Sequence, residues 1–210
     1  MADNQNRQSP LAHLGFGGRI QRDLGAAGVG FSDRGFRTLI DLRVDLRKEP
    51  AAADSFEKAA GFCLPETPNS AAGGADARAL WLGPNEWQIV VPDSRSETAE
   101  AWVSKLREGL AGHFASVVDV SHAQAIVGVT GPQARDVLEG AVPLDLHPRA
   151  FKPGEVKQTQ FGKHTGVTLH LLDEAPTFDL YCRRSFADYV WRYLEDCARG
   201  ACAEVAVLAG

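Results

Sequence analysis

Asp119, Ser121 and His122 bring the residue types of a nucleophilic triad into one short segment. A serine that gives its proton to a histidine, which a carboxylate orients, is the arrangement that performs acyl transfer. Adjacent residues of an extended chain point to opposite faces, so Ser121 and His122 cannot readily share the hydrogen bond that a nucleophile and its base require. We therefore predict a structural corner, in which Ser121 or Asp119 bonds to the backbone.

The other histidines, cysteines and paired carboxylates do not form a recognisable site. His147, His164 and His170 have no ligand-type neighbour at the spacings that metal sites use. No Cys-x-x-Cys pair occurs, so four reduced thiols are expected: Cys63, Cys182, Cys197 and Cys202. Asp173 and Glu174 lie in a predicted hairpin turn, where solvated charge is the ordinary outcome. The sequence therefore predicts no catalytic, cofactor-binding or metal-binding residue in this chain.

Aromatic residues near the C-terminus could stack on a flavin, a folate or a nucleic-acid base. The four residues concerned are Tyr181, Tyr189, Trp191 and Tyr193. Three of them fit core positions of the predicted elements. Trp191 lies off the main apolar stripe of its predicted helix, so we expect it at a surface that meets a partner, where tryptophan is enriched.

Glycines crowd the first 37 residues, at Gly15, Gly17, Gly18, Gly25, Gly28 and Gly30. No run follows a predicted strand with the spacing of a phosphate-binding loop, so a nucleotide site is not indicated. We predict that residues 1–37 form a flexible arm that is disordered alone and becomes ordered on a partner. Its contacts would be Phe16, Phe31 and Phe36, which together with Trp191 are the predicted interface residues.

The remaining chain predicts an α+β fold. Residues 38–79 are predicted to form a hairpin and a loose linker, since the stretch from Pro65 to Asp76 is rich in turn residues. Residues 80–200 are predicted as one α+β domain, and residues 201–210 as a tail. The order strand, helix, strand, strand, helix, then further strands, indicates a split βαβ plan with helices on one face of antiparallel sheets. Two similar halves would fit the same plan.

Composition excludes several classes of protein. The 210 residues include 22 Lys and Arg against 27 Asp and Glu, a net charge of −5 that gives no general attraction for nucleic acid. No apolar run approaches the roughly 20 residues of a membrane-spanning helix. The opening segment lacks the basic cluster and apolar run of an export signal, so a cytoplasmic protein is expected.

Five blocks in order carry a resemblance to a known family. They are Trp81-Leu82-Gly83-Pro84-Asn85-Glu86-Trp87, Val118-Asp119-Val120-Ser121-His122-Ala123, Gly131-Pro132-Gln133-Ala134-Arg135-Asp136-Val137-Leu138, Pro143-Leu144-Asp145-Leu146-His147-Pro148-Arg149-Ala150-Phe151 and Ala175-Pro176-Thr177-Phe178-Asp179-Leu180-Tyr181. In this order and at these separations, the blocks resemble the gamma subunit of heterotetrameric sarcosine oxidase. The resemblance covers Trp81 to Ala198. Asn85 departs from it, since the family pattern has Asp there.

The resemblance implies a fold similar to the folate-binding domain of glycine-cleavage aminomethyltransferases. It implies a non-catalytic gamma subunit that supports oxidative demethylation of sarcosine to glycine, with O2 and tetrahydrofolate as acceptors and H2O2 and 5,10-methylenetetrahydrofolate as products. Its partners would be the alpha, beta and delta subunits. FAD, FMN, NAD and tetrahydrofolate are then expected in those other subunits, with no cofactor in this chain.

Two alternatives remain open. The chain could serve a related N-methylamino-acid dehydrogenase complex, for example one acting on N-methylglutamate. It could also be a free-standing folate-binding module similar to an aminomethyltransferase. Saturable binding of tetrahydrofolate by the isolated chain would distinguish this module from an accessory subunit.

Overall fold

The computed structural model describes residues 8–92 and 96–210, which divide into two units. The central unit is residues 36–122, and the terminal unit combines residues 8–35 with residues 123–210. This division differs from the predicted arm, linker, domain and tail. The predicted domain of residues 80–200 is cut at His122, and its two parts belong to different sheets.

Strands and helices alternate along the described chain. In chain order they are β1 (Ile20–Gln21), β2 (Val29–Asp33), β3 (Thr38–Val44), α1 (Ala51–Ala60), β4 (Ala71–Gly73), β5 (Arg78–Gly83), β6 (Glu86–Val91), α2 (Ser96–Gly109), β7 (Ala115–Asp119), β8 (Gln124–Thr130), α3 (Ala134–Glu139), β9 (Val156–Phe161), β10 (Thr165–Asp173), β11 (Thr177–Arg183), α4 (Ala187–Gly200) and β12 (Val205–Leu208). From β6 onward the order is strand, helix, strand, strand, helix, then further strands, as the sequence predicts.

Each unit contains one sheet. The central unit has the strand order β4-β5-β6-β3-β7, and the terminal unit has β1-β12-β2-β8-β11-β10-β9. Neighbouring strands are antiparallel except at β12, which pairs in parallel with both β1 and β2. The predicted α+β class with antiparallel sheets is therefore confirmed, with one parallel strand added.

The split βαβ plan occurs in both units. In the central unit, β6 lies antiparallel between β5 and β3, and α1 packs against α2. In the terminal unit, β11 lies antiparallel between β8 and β10, and α3 packs against α4. In each unit the two outer strands, β3 and β5 or β8 and β10, are parallel to each other and are connected through a helix. An antiparallel strand lies between them, which is the arrangement that defines the split βαβ plan. The two halves predicted from the sequence are thus present, with their boundary at residue 122.

The alternation of side-chain direction along a strand explains why one face of each sheet packs on the core, although residues 125–129 of β8 are all buried. In β8 the side chains of Ala125, Val127 and Val129 belong to the core of the terminal unit, where Phe178 and Leu180 of β11 join them. Successive side chains of a strand point to opposite faces, so this spacing directs one set towards the helices. The core of the central unit is built in the same way, from residues that include Ile40, Leu42, Phe56, Trp87, Ile89 and Leu106.

Residues 38–79 contain a helix that the sequence reading missed. Helix α1 buries Ala52 and Phe56, both fully, against the central core. Its alanine-rich sequence shows two apolar anchors four residues apart, a pattern too sparse to stand out beside the turn-rich stretch that follows. The predicted tail is also structured, because β12 fills the position between β1 and β2.

Gly128 lets the side chains of Ser32 and Arg34 lie close to the backbone of β8. A Cβ at this position would overlap Ser32 Oγ and the guanidinium of Arg34. Arg34 Nε instead reaches Asp179 Oδ1 at 2.8 Å, in an ion pair whose side chains are largely buried. A glycine in β8 therefore allows this ion pair to cross the sheet.

Candidate functional site

Asp119, Ser121 and His122 form a corner of the central unit, as predicted. The backbone N–H of Leu39 donates to Ser121 Oγ at 3.0 Å, and the Ser121 hydroxyl donates to Asp119 Oδ1. The N–H of Ser121 donates to the same carboxylate oxygen at 2.9 Å. The ring of His122 lies edge-on to Phe36, with centroids 6.2 Å apart. Serine and carboxylate therefore fix the chain direction, and the histidine packs on an aromatic ring.

The other candidate chemical residues also have structural roles. His147 Nδ1 accepts the N–H of Arg149 at 3.2 Å, and the ring of His164 packs edge-on to Tyr189. Asp173 Oδ1 accepts the N–H of Ala175 at 3.0 Å, which places it in the predicted hairpin turn. Within residues 8–92 and 96–210, no group of three or more His, Cys, Asp or Glu side chains is placed to hold a metal ion.

Two predicted interface aromatics lie in the core instead. Phe31 is fully buried and Trp191 is 1% exposed, and their rings meet edge-on with centroids 5.7 Å apart. The expectation that they are free to meet a partner is therefore corrected. Helix α4 buries a stripe that includes Ala187, Trp191, Leu194 and Ala198, and residues before β1 cover the flank of the helix where Trp191 lies.

Phe16 and Phe36 are half-buried, and their role as interface residues stays a prediction. Phe16 packs on Trp191 with centroids 4.5 Å apart, and Phe36 faces His122. Tyr189 and Tyr193 are half-buried beside Phe161, so they help to close the core. Tyr181 is buried in β11.

Residues 8–35 are part of the terminal unit rather than a free arm. Leu11 is fully buried in the core, and β2 lies between β12 and β8. His13 Nε2 reaches Asp188 Oδ1 at 2.7 Å, and the Arg184 guanidinium donates to the carbonyl of Gln8 at 2.9 Å. The predicted arm is wrong for these residues because apolar side chains between the glycines supply core contacts. The first seven residues of the predicted arm lie outside the described residues.

A groove of about 870 Å³ lies on the central unit. The end of β3 and the beginnings of β6 and β7 form its walls, together with the segment that follows β3 and the turn between β5 and β6. The residues that line it include Val44, Pro84, Asn85 and Ala115. Phe114 stands at this groove and is 90% exposed. A smaller cavity of about 260 Å³ shares Arg47 and Pro84 with it and reaches Trp81.

The loop that carries Phe114 is fixed by hydrogen bonds. Gly112 has φ +92°, a left-handed conformation that favours glycine. His113 Nδ1 lies 3.0 Å from Glu49 Oε2, and Ser55 Oγ lies 3.1 Å from the other ring nitrogen. The pKa of Glu49 is lowered, first by the hydrogen bond from His113 and then by the backbone N–H of Phe114. Both bonds favour the carboxylate and hold the loop in place.

The positive side chains that line the groove are more exposed than the carboxylates that line it. The side chains of Arg47 and Lys48 are 81% and 84% exposed, whereas that of Asp45, which pairs with both, is 19% exposed. Desolvation raises the pKa of Asp45, but hydrogen bonds and charge from Arg47 leave it lowered overall. The charged groups of the groove that are most accessible to solvent are therefore cations.

The four cysteines are free thiols, and Cys182 is buried in the terminal core. Burial raises the pKa of Cys182 to about 12. Cys63 and Cys202 are exposed. A buried neutral thiol is a poor nucleophile, so Cys182 is a packing residue.

Comparison with known proteins gives the family. Residues 44–200 match the sarcosine oxidase, gamma subunit family. A sarcosine oxidase subunit gamma from Arthrobacter sp is 33% identical over 148 residues, which are 69% of this chain and 68% of that protein. The subunit from Corynebacterium sp. (strain U-96) is 32% identical, over 70% of this chain and 69% of its own length.

The chain belongs to the sarcosine oxidase, gamma subunit family. A chain of heterotetrameric sarcosine oxidase from Corynebacterium sp. U-96, solved with pyrrole 2-carboxylate, superposes with a TM-score of 0.80 at 26% identity. The superposition covers 93% of this chain and 96% of that chain. The resemblance read from the five sequence blocks is confirmed.

The fold extends beyond the gamma subunit family. Glycine cleavage system aminomethyltransferase T from Bartonella henselae superposes with a TM-score of 0.59 at 16% identity, over 87% of this chain and 48% of that chain. At this identity the likeness concerns the fold, and it agrees with the fold predicted from the resemblance. The groove and Phe114 were not predicted from the sequence. Their one local signal is an aromatic residue in the turn after Gly112, where polar residues are usual.

Proposed function

We propose that this chain is the non-catalytic gamma subunit of a heterotetrameric sarcosine oxidase in the cytoplasm. The observation that carries the proposal is the superposition on a chain of that enzyme over nearly the full length of both chains. The side chains that could perform chemistry support it, since Ser121, Asp119 and Cys182 are engaged in structural contacts.

In this proposal the complex oxidises sarcosine to glycine. Oxygen takes the electrons and becomes H2O2, and tetrahydrofolate captures the one-carbon unit as 5,10-methylenetetrahydrofolate. FAD, FMN, NAD and tetrahydrofolate are bound by the alpha, beta and delta subunits, and this chain contributes to assembly. A related complex that acts on N-methylglutamate differs in substrate, so comparing both amines with the purified complex distinguishes the two.

Co-purification from the native cell tests the proposal. The tagged chain should bring down larger, flavin-yellow subunits, and the purified complex should oxidise sarcosine with formation of H2O2. The tagged chain produced alone should have no such activity, which serves as the control. Recovery of the chain without flavoprotein partners, or turnover of sarcosine by the chain alone, would contradict the proposal.

A folate-binding module is the second candidate. An aminomethyltransferase from Staphylococcus haemolyticus (strain JCSC1435) is 28% identical over 113 residues, which are 52% of this chain and 30% of that protein. Calorimetric titration of the isolated chain with tetrahydrofolate decides between the two candidates. Saturable binding favours the module, and its absence favours the accessory subunit.

A further inference from the structure

We infer that the groove beside Phe114 is the surface through which this chain docks onto a partner subunit, and that it receives an apolar segment bearing acidic side chains. The inference rests on the proposed function, because it names where that assembly takes place. Phe114 supplies the apolar anchor of the interface. Arg47 and Lys48 supply its charge.

The exposure of Phe114 is the first argument. Removing a phenylalanine side chain from water is favourable, yet this side chain is 90% exposed. A few buried aromatic side chains commonly dominate the affinity of an interface. The ring of His113 and its bonds to Glu49 and Ser55 hold the loop before docking. Little conformational entropy is therefore lost when a partner covers the ring.

The shape of the surface is the second argument. The groove and the smaller cavity are neighbours, because Arg47 and Pro84 line both. Phe114 lines the groove and Trp81 lines the cavity, so an extended segment that crosses the shared residues would contact both aromatic side chains. Aromatic side chains provide the large contact area that stable interfaces use.

Charge identifies the segment that fits. The chain as a whole carries a net charge of −5 and would repel an acidic partner. The groove itself is lined by three cations and three carboxylates, but the cations are the more exposed. The side chains of Arg43, Arg47 and Lys48 are 58%, 81% and 84% exposed, whereas those of Asp45, Glu49 and Glu86 are 19%, 30% and 34% exposed. Carboxylates on the partner complement these cations, which favours the correct register and raises the rate of association.

A side chain already engages one backbone group on the adjacent edge of the sheet. Strand β7 is the last strand of the central sheet. Val120 N–H bonds to Leu39 O, so the alternation of an antiparallel pair leaves the Val117 carbonyl on the outer side of β7. The Arg107 guanidinium donates to that carbonyl at 2.9 Å. A strand added along β7 would have to displace this bond, whereas a segment that contacts the side chains of the groove would not.

Competition for assembly tests the inference. The wild-type chain and a variant with a different tag are expressed together with limiting alpha, beta and delta subunits, and their ratio in the purified complex is measured. The test variants are Phe114→Ser and the double variant Arg47→Glu with Lys48→Glu. Matched controls are Ile20→Ser, which alters an exposed apolar residue of the terminal unit, and Arg199→Glu, which reverses an exposed charge there. Thermal unfolding of each variant verifies that it folds.

Both test variants should be depleted about tenfold or more relative to wild type, while the controls are incorporated equally. Added salt should weaken assembly of the wild type more than that of the double variant, because the acidic contacts are screened. If wild type assembles and the test variants assemble as well as the controls, the docking surface is wrong and the proposed function stands. If the wild type itself brings down no partner, both fail.

Discussion

Cys182 shows at the residue scale how burial removes reactivity. Its thiol lies in the terminal core with its pKa raised to about 12, whereas Cys63 and Cys202 are exposed. We predict that a thiol reagent modifies Cys63 and Cys202 in the folded chain, and modifies Cys182 only after unfolding. Cys63 should react more slowly than Cys202, because a hydrogen bond with Glu57, together with a smaller desolvation effect, raises the pKa of Cys63.

Rates of modification with and without denaturant, assigned by peptide mass, check this order. The variant Cys182→Ala provides the control, since it should leave the fast phases unchanged and remove one denaturant-dependent thiol. Fast modification of Cys182 in the folded chain would show that the strand β11 opens or that the thiol lies outside the core.

Glu49 gives a second prediction at the residue scale, for the pH dependence of stability. Its folded pKa lies below the ordinary value of 4.5, so its stabilising contribution is present above that value and lost as pH falls through the folded pKa. We predict that Glu49→Gln lowers the free energy of unfolding near about pH 7 and that the difference from wild type shrinks as pH falls below about 4.5.

Urea unfolding across that range measures the difference. Glu86→Gln is the control, because Glu86 is another partly exposed carboxylate of the same groove and pairs with Arg43 rather than with His113. A difference between Glu49→Gln and wild type that stays constant at all pH values would show that the charge of Glu49 does not hold the loop.

At the scale of elements, β2 makes residues 8–35 part of the terminal unit. This strand lies between β12 and β8 and carries the fully buried Phe31. We predict that Phe31→Ala lowers the free energy of unfolding by about 3–5 kcal/mol, the cost of a large cavity in a core. Phe36→Ala, at a half-buried ring, should cost less.

Denaturant unfolding measures both changes, and limited proteolysis gives an independent check. Residues 9–35 should stay attached to the terminal unit under conditions that cut exposed loops. If this segment is removed early and Phe31→Ala has a negligible effect, the segment is a flexible arm, as its glycine content predicts.

At the scale of the whole molecule, the chain forms two units with the same split βαβ plan. In the sequence, the residues of the central unit lie between the two segments that form the terminal unit. Family membership follows from residues of both units, since the match spans residues 44–200. The proposed assembly and its docking surface are therefore tested best with the full chain and its partner subunits. In the described part of the chain, no helix is long and apolar enough to cross a membrane.

The sequence by itself determined the local elements and the family. Alternating apolar residues in β6 and β11, the continuous apolar run of β8 and the helical spacing in α2 and α4 indicate these elements, because that information is local. The five ordered blocks, which begin at Trp81, Val118, Gly131, Pro143 and Ala175, identified the family. The opposite orientation of adjacent side chains along an extended chain predicted that Ser121 forms a structural corner.

The tertiary structure decided which strands pair and which aromatic residues are buried. Strands β7 and β8 are close in sequence, yet they belong to different sheets, and β12 pairs with strands from the other end of the chain. Periodicity does not specify a strand's partner, since pairing depends on contacts between residues distant in sequence. For the same reason Trp191 was expected at the surface, whereas residues before β1 bury it, and Phe114 remains exposed.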